Sequence, residues 1–332
     1  MSVFIFRKAC FLFEWIYLWK NRGTMATGSP FHALSLAKIP LDEHACIFQD
    51  ELVVADNFEE GRQHHDLSVD PIMTSFLTSP YPYKVQFAIM HLCVAGSMRV
   101  RLNLTEYEMH RNSALIVMPG SIGQCMEVSA DCQLLMIACA NDFIVPEMQT
   151  EAALIVRKFL ANRALLPLKE EQVEEVRSVY HLLRQKIRQV DARFKREMLQ
   201  DYLQILYYLL CQEMGAYVDR LDAQPGTRKK QIFDRFLQLL RQHYTSERSI
   251  AFYANEMCLT PKYLSQVVYG VSGRYAGQWI RDYVVLEAKA LLQSGEYTVQ
   301  QVSDRLNFAN QSFFGSYFKK AVGCSPSAYQ RL

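Results

Sequence analysis

Near the C-terminus of this 332-residue chain, one stretch of sequence is written twice, about fifty residues apart. Ile250, Tyr253, Ala254, Met257 and Leu259 align with Val299, Val302, Ser303, Leu306 and Phe308. After a one-residue shift in the turn, Tyr263-Leu264, Val268 and Gly273 align with Phe313-Phe314, Phe318 and Gly323. Each copy has apolar residues at i, i+3 and i+7, a small residue at i+4, a turn, and a second segment with apolar residues four apart. That period is helical, so this part of the chain must fold as two similar helical pairs.

The pattern is that of a helix-turn-helix, in which the small residue (Ala254, Ser303) lets two helices cross closely and leaves the outer face of the second free for a major groove. The caps agree. Ser249 and Thr298 are placed to N-cap the first helices, and Thr260-Pro261 gives a cap followed by proline at the first helical position. Asn307, at the second bend, is a residue type that tolerates positive φ.

The flanking residues carry a family resemblance. Trp279-Ile-Arg-Asp-Tyr-Val-Val-Leu-Glu-Ala-Lys-Ala-Leu-Leu292 resembles the linker helix of the AraC/XylS transcription regulators. Asn307-Phe-Ala-Asn-Gln-Ser-Phe-Phe314 resembles that family's second turn and recognition helix, and Phe318-Lys-Lys-Ala-Val-Gly-Cys-Ser-Pro-Ser-Ala-Tyr329 its closing signature. The resemblance spans Arg228 to Leu332. Two departures fall in the first copy: Val268-Tyr269-Gly270 stands where many members have Phe-Lys-Lys, and Val284 where arginine is common. Both remove cations, which weakens the expected phosphate contacts of that copy.

Helical geometry then selects the groove-facing residues. With Leu264, Val267 and Val268 inward, the first recognition helix offers Lys262, Tyr263, Ser265, Gln266 and Tyr269. With Phe314 and Phe318 inward, the second offers Asn310, Gln311, Ser312, Gly315, Ser316 and Lys319, with Lys320 beside it. Gln266 and Gln311 suit paired hydrogen bonds to adenine, while Lys319 and Lys320 suit phosphate. Charge supports this placement. From Thr227 onward the chain has 14 Lys+Arg against 7 Asp+Glu, and the preceding 226 residues have 22 against 27. A basic module on an acidic body is expected where one domain binds a polyanion.

Upstream, Met98-Arg-Val-Arg-Leu-Asn-Leu104 alternates as a half-buried strand does, and Lys84–Cys93, Asn112–Gly120 and Gln133–Cys139 read as further strands between turn residues. Such a series predicts a small barrel or jelly roll, in the position where the resemblance implies a cupin-like sensor domain. A cupin enzyme would need a metal, and none of the eight histidines forms an H-x-H pair; the adjacent His64 and His65 would point to opposite faces of a strand. No metal and no cofactor are expected. Tyr81, Tyr83, His44 and His64 are polar-tipped candidates for an effector site, and each also reads as an ordinary rim or loop residue.

Between Lys169 and Leu221, Val173, Val176, Tyr180, Leu183, Ile187 and Val190 form one narrow helical seam, and Met198, Tyr202, Ile205 and Leu209 a second. These seams either close on each other or the barrel, or serve in part as a dimer interface, the reading that the resemblance also implies. The nine cysteines are scattered singly, with neither a disulfide framework nor a zinc ribbon, as in a reducing cytoplasm. Phe4 to Trp19 is apolar but interrupted by Arg7, Lys8 and Glu14, too broken for a membrane span, and Met25 is the preferred start of translation.

The expected fold is therefore an α+β multidomain chain: an N-terminal extension over 1–30, a β-rich cupin-like or jelly-roll sensor domain over 31–165, a helical connector over 166–221, a linker over 222–227, and an all-α DNA-binding domain over 228–332 with two helix-turn-helix units joined by a linker helix. The expected function is a sequence-specific, cytoplasmic transcription regulator, an activator as the resemblance implies. Its partners would be double-stranded DNA, an unidentified small-molecule effector, a second copy of itself and, as one option, RNA polymerase. The competing class is a cupin-type enzyme or sugar-binding protein with an appended helical module. The effector, the operator and the sign of regulation are not written in the sequence.

Overall fold

The computed structural model describes residues 45–58, 81–140, 143, 150–190, 193–223 and 226–331, all of them within one compact unit, Ala33–Leu332. The expectations for residues 1–30 with the start at Met25, for His44 and His64, and for Gln224-Pro225 of the linker lie outside the described residues.

Among the described residues, ten strands form two antiparallel sheets. The six-stranded sheet has the order β1 (Cys46–Phe48), β2 (Leu52–Asp56), β9 (Gln133–Cys139), β4 (Ala88–Ala95), β7 (Ser113–Val117) and β10 (Leu165–Pro167). The four-stranded sheet has the order β3 (Tyr83–Lys84), β8 (Ile122–Val128), β5 (Ser97–Leu102) and β6 (Thr105–His110). Their inner faces share one apolar core, with Val53, Ile89, Leu115 and Met136 from the larger sheet meeting Met98, Val100, Leu102 and Cys125 from the smaller. The outer face of the larger sheet, through Leu52, Val54, Leu92 and Ile137, packs against helices.

This double burial explains the strand sequences. β4 and β9 are apolar on both faces because both faces are covered, whereas β5 alternates because its outer side meets solvent. β6 and β8 were not among the expected strands; Thr105-Glu-Tyr-Glu-Met-His110 is mostly exposed, and Gly123, Gln124 and Glu127 dilute the apolar signal of β8. At the β4–β5 turn Gly96 has φ +66° and a Cβ there would lie 2.6 Å from the Cys132 backbone, so glycine is required twice over.

The covering helices are α1 (Glu151–Asn162), α2 (Glu170–Arg188) and α3 (Lys195–Ala223). On α2 the expected seam from Val173 to Ile187 is buried in the same core as the sheet's outer face, but Val190 lies beyond the helix end and is 89% exposed. On α3 the expected stripe needs correction. The buried line is Leu199, Leu203, Leu206, Leu210, Met214 and Val218, while Met198 and Ile205 are exposed and Tyr202 and Leu209 only half-buried. Apolar residues occupy nearly every side of α3, so periodicity alone could not choose its inward face.

The C-terminal helices are α4 (Arg228–His243), α5 (Ile250–Glu256), α6 (Pro261–Ser272), α7 (Ala276–Gln293), α8 (Val299–Arg305), α9 (Gln311–Val322) and α10 (Pro326–Tyr329). Phe236, Leu240, Leu264, Tyr283, Phe314 and Phe318 form the center of their core, with Phe233 and Trp279 packed partly against it. Tyr81 and Leu104, from the β region, also pack on this core. No helix among the described residues is long and apolar enough to cross a membrane.

Candidate nucleic-acid interface

The two helix pairs are built alike down to single hydrogen bonds. Ser249 accepts from the Ala251 N–H at 3.2 Å, and Thr298 from the Gln301 N–H at 3.2 Å. Ala254 and Ser303 are both fully buried at the helix crossing. In each bend the chain turns through a left-handed residue, Asn307 at φ 52° and Cys258 at φ 54°. The next N–H then returns to the small residue's carbonyl, Leu259 to Ala254 at 2.8 Å and Phe308 to Ser303 at 3.0 Å. Cys258 carries no residue-type hint of that conformation; only alignment with Asn307 could have suggested it.

Thr260 caps α6, accepting from the Tyr263 N–H at 3.2 Å, with Pro261 at the first turn. Asn310 caps α9 through its side-chain oxygen, accepting from the Phe313 N–H at 3.0 Å. That oxygen is therefore occupied, and only the amide NH2 of Asn310 is left to face a partner. Leu264, Val267 and Val268 are buried as expected, and so are Phe314 and Phe318.

The remaining side chains of α6 divide cleanly. Lys262, Tyr263, Gln266 and Tyr269 are exposed, and Ser265 is half-buried. On α9, Gln311, Ser312, Ser316, Lys319 and Lys320 are exposed and Gly315 is half-buried. Tyr269 is stacked on Tyr275, with ring centroids 4.6 Å apart at 25°.

The electrostatics of the two units differ. In the first, Arg274 pairs with Asp282 and lies over the Trp279 ring at 4.6 Å, and Arg281 also reaches Asp282 at 3.2 Å. Those cations already have a carboxylate, so Lys262 is the exposed cation on α6 itself. In the second, α9 ends in Lys319 and Lys320, both exposed.

Two contacts missed by sequence reasoning fix the module's shape. Arg248, just before α5, donates to the Leu306 and Asn307 carbonyls and lies 4.1 Å from the Phe308 ring centroid. It ties the second unit's bend to the entry of the first. The other contact joins the linker helix to the β region. Glu287 on α7, 3% exposed, accepts from Lys84 Nζ at 2.6 Å and from the Tyr244 hydroxyl at 2.6 Å. Beside it Leu286 and Ala290 bury against Ile122 of β8. A carboxylate inside the run Val284-Val-Leu-Glu-Ala288 was the available signal, but its partner lies 203 positions away.

Lys84 and Ile122 are register partners, and so are Tyr83 and Gly123. Alternation along the β3–β8 ribbon sends the first pair toward α7 and the second inward. The inward side lines a cavity of ≈ 10 Å³ shared with Val85, Ile89, His91 and Cys125, about the room of one water. His91 is buried with no hydrogen-bond partner on Nδ1, and burial lowers its pKa from 6.5 to about 4. Of the polar-tipped candidates, Tyr83 lies at this cavity and Tyr81 instead meets Tyr329 edge-on, with centroids 6.0 Å apart. Among the described residues no group of three or more His, Cys, Asp or Glu is placed to hold a metal ion.

Two helix-turn-helix units, each with an exposed second helix and joined by one stiff helix, define a DNA-binding module. The helix-turn-helix domain family matches residues 253–332. The virulence regulon transcriptional activator VirF of Yersinia enterocolitica is 22% identical over 247 residues, 72% of this chain and 87% of that protein. The arabinose operon regulatory protein of Escherichia coli is 28% identical over 129 residues, 39% of this chain and 43% of that protein. The crystal structure of unsaturated fatty acid bound ToxT from Vibrio cholerae overlaps 75% of this chain and 92% of its own at 14% identity, with a TM-score of 0.36. Both relatives are transcription regulators, and over residues 253–332 this chain carries the helix-turn-helix domain by which such proteins bind DNA.

Proposed function

We propose that this chain is a transcription regulator of the AraC type that binds DNA as a homodimer in the cytoplasm, activates transcription, and is controlled by a small effector held in the β domain. In this reading residues 31–165 are the sensor, 166–221 the connector and dimerisation element, 222–227 the linker and 228–332 the DNA-binding domain. It is not an enzyme, and RNA polymerase is a further partner. The observation that carries the DNA reading is the repeated division of α6 and α9 into a buried apolar face and an exposed face with glutamine, serine and lysine. Gln266 and Gln311 read bases, Lys262, Lys319 and Lys320 hold phosphates, and Tyr263, Ser265, Tyr269, Asn310, Ser312, Gly315 and Ser316 complete the surface.

The dimer reading is supported by the exposed apolar stripe of α3, where Ile205 is 50% and Tyr208 55% exposed. The effector reading is supported by the unpartnered nitrogen of His91 at the inner cavity. Because the cavity has room for only about one water, a larger effector enters by displacing the β3–β8 ribbon, whose other side carries Lys84 and Ile122 to the linker helix.

The test is quantitative DNA binding at several salt concentrations. Gln311→Ala should relax preference at one base pair, at a cost of roughly 1–3 kcal/mol on the best sequence. Lys319→Ala should weaken all sequences alike and lower the salt slope by about 1. Uniform weakening by Gln311→Ala would remove its base-reading role.

A further inference from the structure

Phe313 is 64% exposed, more than any other large apolar side chain between residues 228 and 331, where Tyr275, just before α7, comes next at 57%. It stands outside the aromatic packing around it, in which Phe308 meets Phe314 at 5.3 Å and Tyr317 at 5.1 Å between centroids. Its neighbors on the same exposed end are Asn310, Gln311 and Ser312. A phenyl ring held in water among polar side chains gains nothing within the chain.

The same construction occurs in the first unit. Tyr263 is the third residue of α6, as Phe313 is of α9, and is 40% exposed. Each residue's backbone N–H is held by the cap side chain, Thr260 at 3.2 Å and Asn310 at 3.0 Å, so both rings leave the helix from a fixed backbone at its N-terminal end. In a helix-turn-helix it is this end that contacts base edges. The major-groove edge of DNA offers one apolar group, the 5-methyl of thymine.

We infer that Phe313 reads a thymine methyl, and that Tyr263 reads one at the equivalent place in the other half-site. This rests on the reading of α6 and α9 as recognition helices, and adds the base identity that their glutamines do not supply. Because the two rings sit at the same point of two repeated units, the two thymines lie about one helical turn of DNA apart.

The test uses the full chain and a sequence enriched by it from random double-stranded DNA. Single thymines are then replaced by deoxyuridine, which removes the methyl alone, and affinity is measured by fluorescence anisotropy. One thymine in each half-site should prove sensitive, with a loss of roughly fourfold, the worth of one methyl group taken from water. Phe313→Ala should abolish sensitivity at one of these thymines and leave the other. Tyr263→Ala should do the reverse, and Phe313→Leu should keep it. Both rings are exposed, and an unchanged thermal melt confirms that each variant is folded. Deoxyuridine sensitivity unchanged in Phe313→Ala, or no sensitive thymine at all on a tightly bound sequence, overturns the inference while leaving DNA recognition intact. Failure to enrich any sequence would remove the recognition-helix reading, and the inference with it.

Discussion

Replacing Lys84 by methionine should destabilise the protein through a carboxylate 203 positions away. Glu287 is 3% exposed, and its two oxygens are met by Lys84 Nζ and the Tyr244 hydroxyl, each at 2.6 Å. Stripping one partner from a fully buried pair costs about 3–5 kcal/mol, because the other charge stays behind unpaired. Two features reduce that here: the Lys84 side chain is 31% exposed, so the pair is partly screened, and Tyr244 still donates to Glu287. The expected loss is about 2 kcal/mol for Lys84→Met and about 1 kcal/mol for Glu287→Met, since the freed ammonium can turn to water. The double variant removes both charges and should lie within about 1 kcal/mol of the parent. Urea unfolding of the three variants and the parent supplies the double-mutant cycle, with an expected coupling of about 2 kcal/mol. Additive losses, or a Lys84→Met variant indistinguishable from the parent, would show that the contact contributes nothing. The same variants remove the polar tie between α7 and β3 and leave only the packing of Leu286 and Ala290 on Ile122, so their DNA affinity should respond less to an effector that moves the ribbon.

Two further outcomes follow from burial. His91 has its pKa lowered from 6.5 to about 4 by desolvation, so the folded state disfavors its charged form. Stability is full above pH 6.5 and falls as pH drops toward 4, by about 2 kcal/mol at pH 5; His91→Leu should remove that slope in urea melts at pH 7.5 and 5, and an equal slope in both proteins would refute it. Ile205→Glu, on the exposed side of α3, should leave the fold intact and shift sedimentation from dimer to monomer, whereas Leu203→Glu, 1% exposed, should unfold the chain. A folded Ile205→Glu dimer would place the interface elsewhere.

The C-terminal module was legible because its determinants are local. A small residue at the crossing, a cap at each helix start and an apolar pair on each second helix lie within twenty residues of one another, and the duplication states each of them twice. The same holds for β5, whose alternation records one buried and one solvated face, and for β9, whose unbroken apolar run records two buried ones. What the linear pattern could not carry was any choice among equivalent faces or any partner far away in the chain. Helix α3 is apolar nearly all round, so only the sheet it lies on decides that Leu203 faces in and Ile205 faces out. Exposed β6 and dilute β8 become strands because β5 supplies their hydrogen bonds. Arg248 and Glu287 look in sequence like ordinary charged residues. Tertiary structure alone brings the first to the Asn307 bend and the second to Lys84, because burial creates a demand for a partner that sequence distance does not reveal.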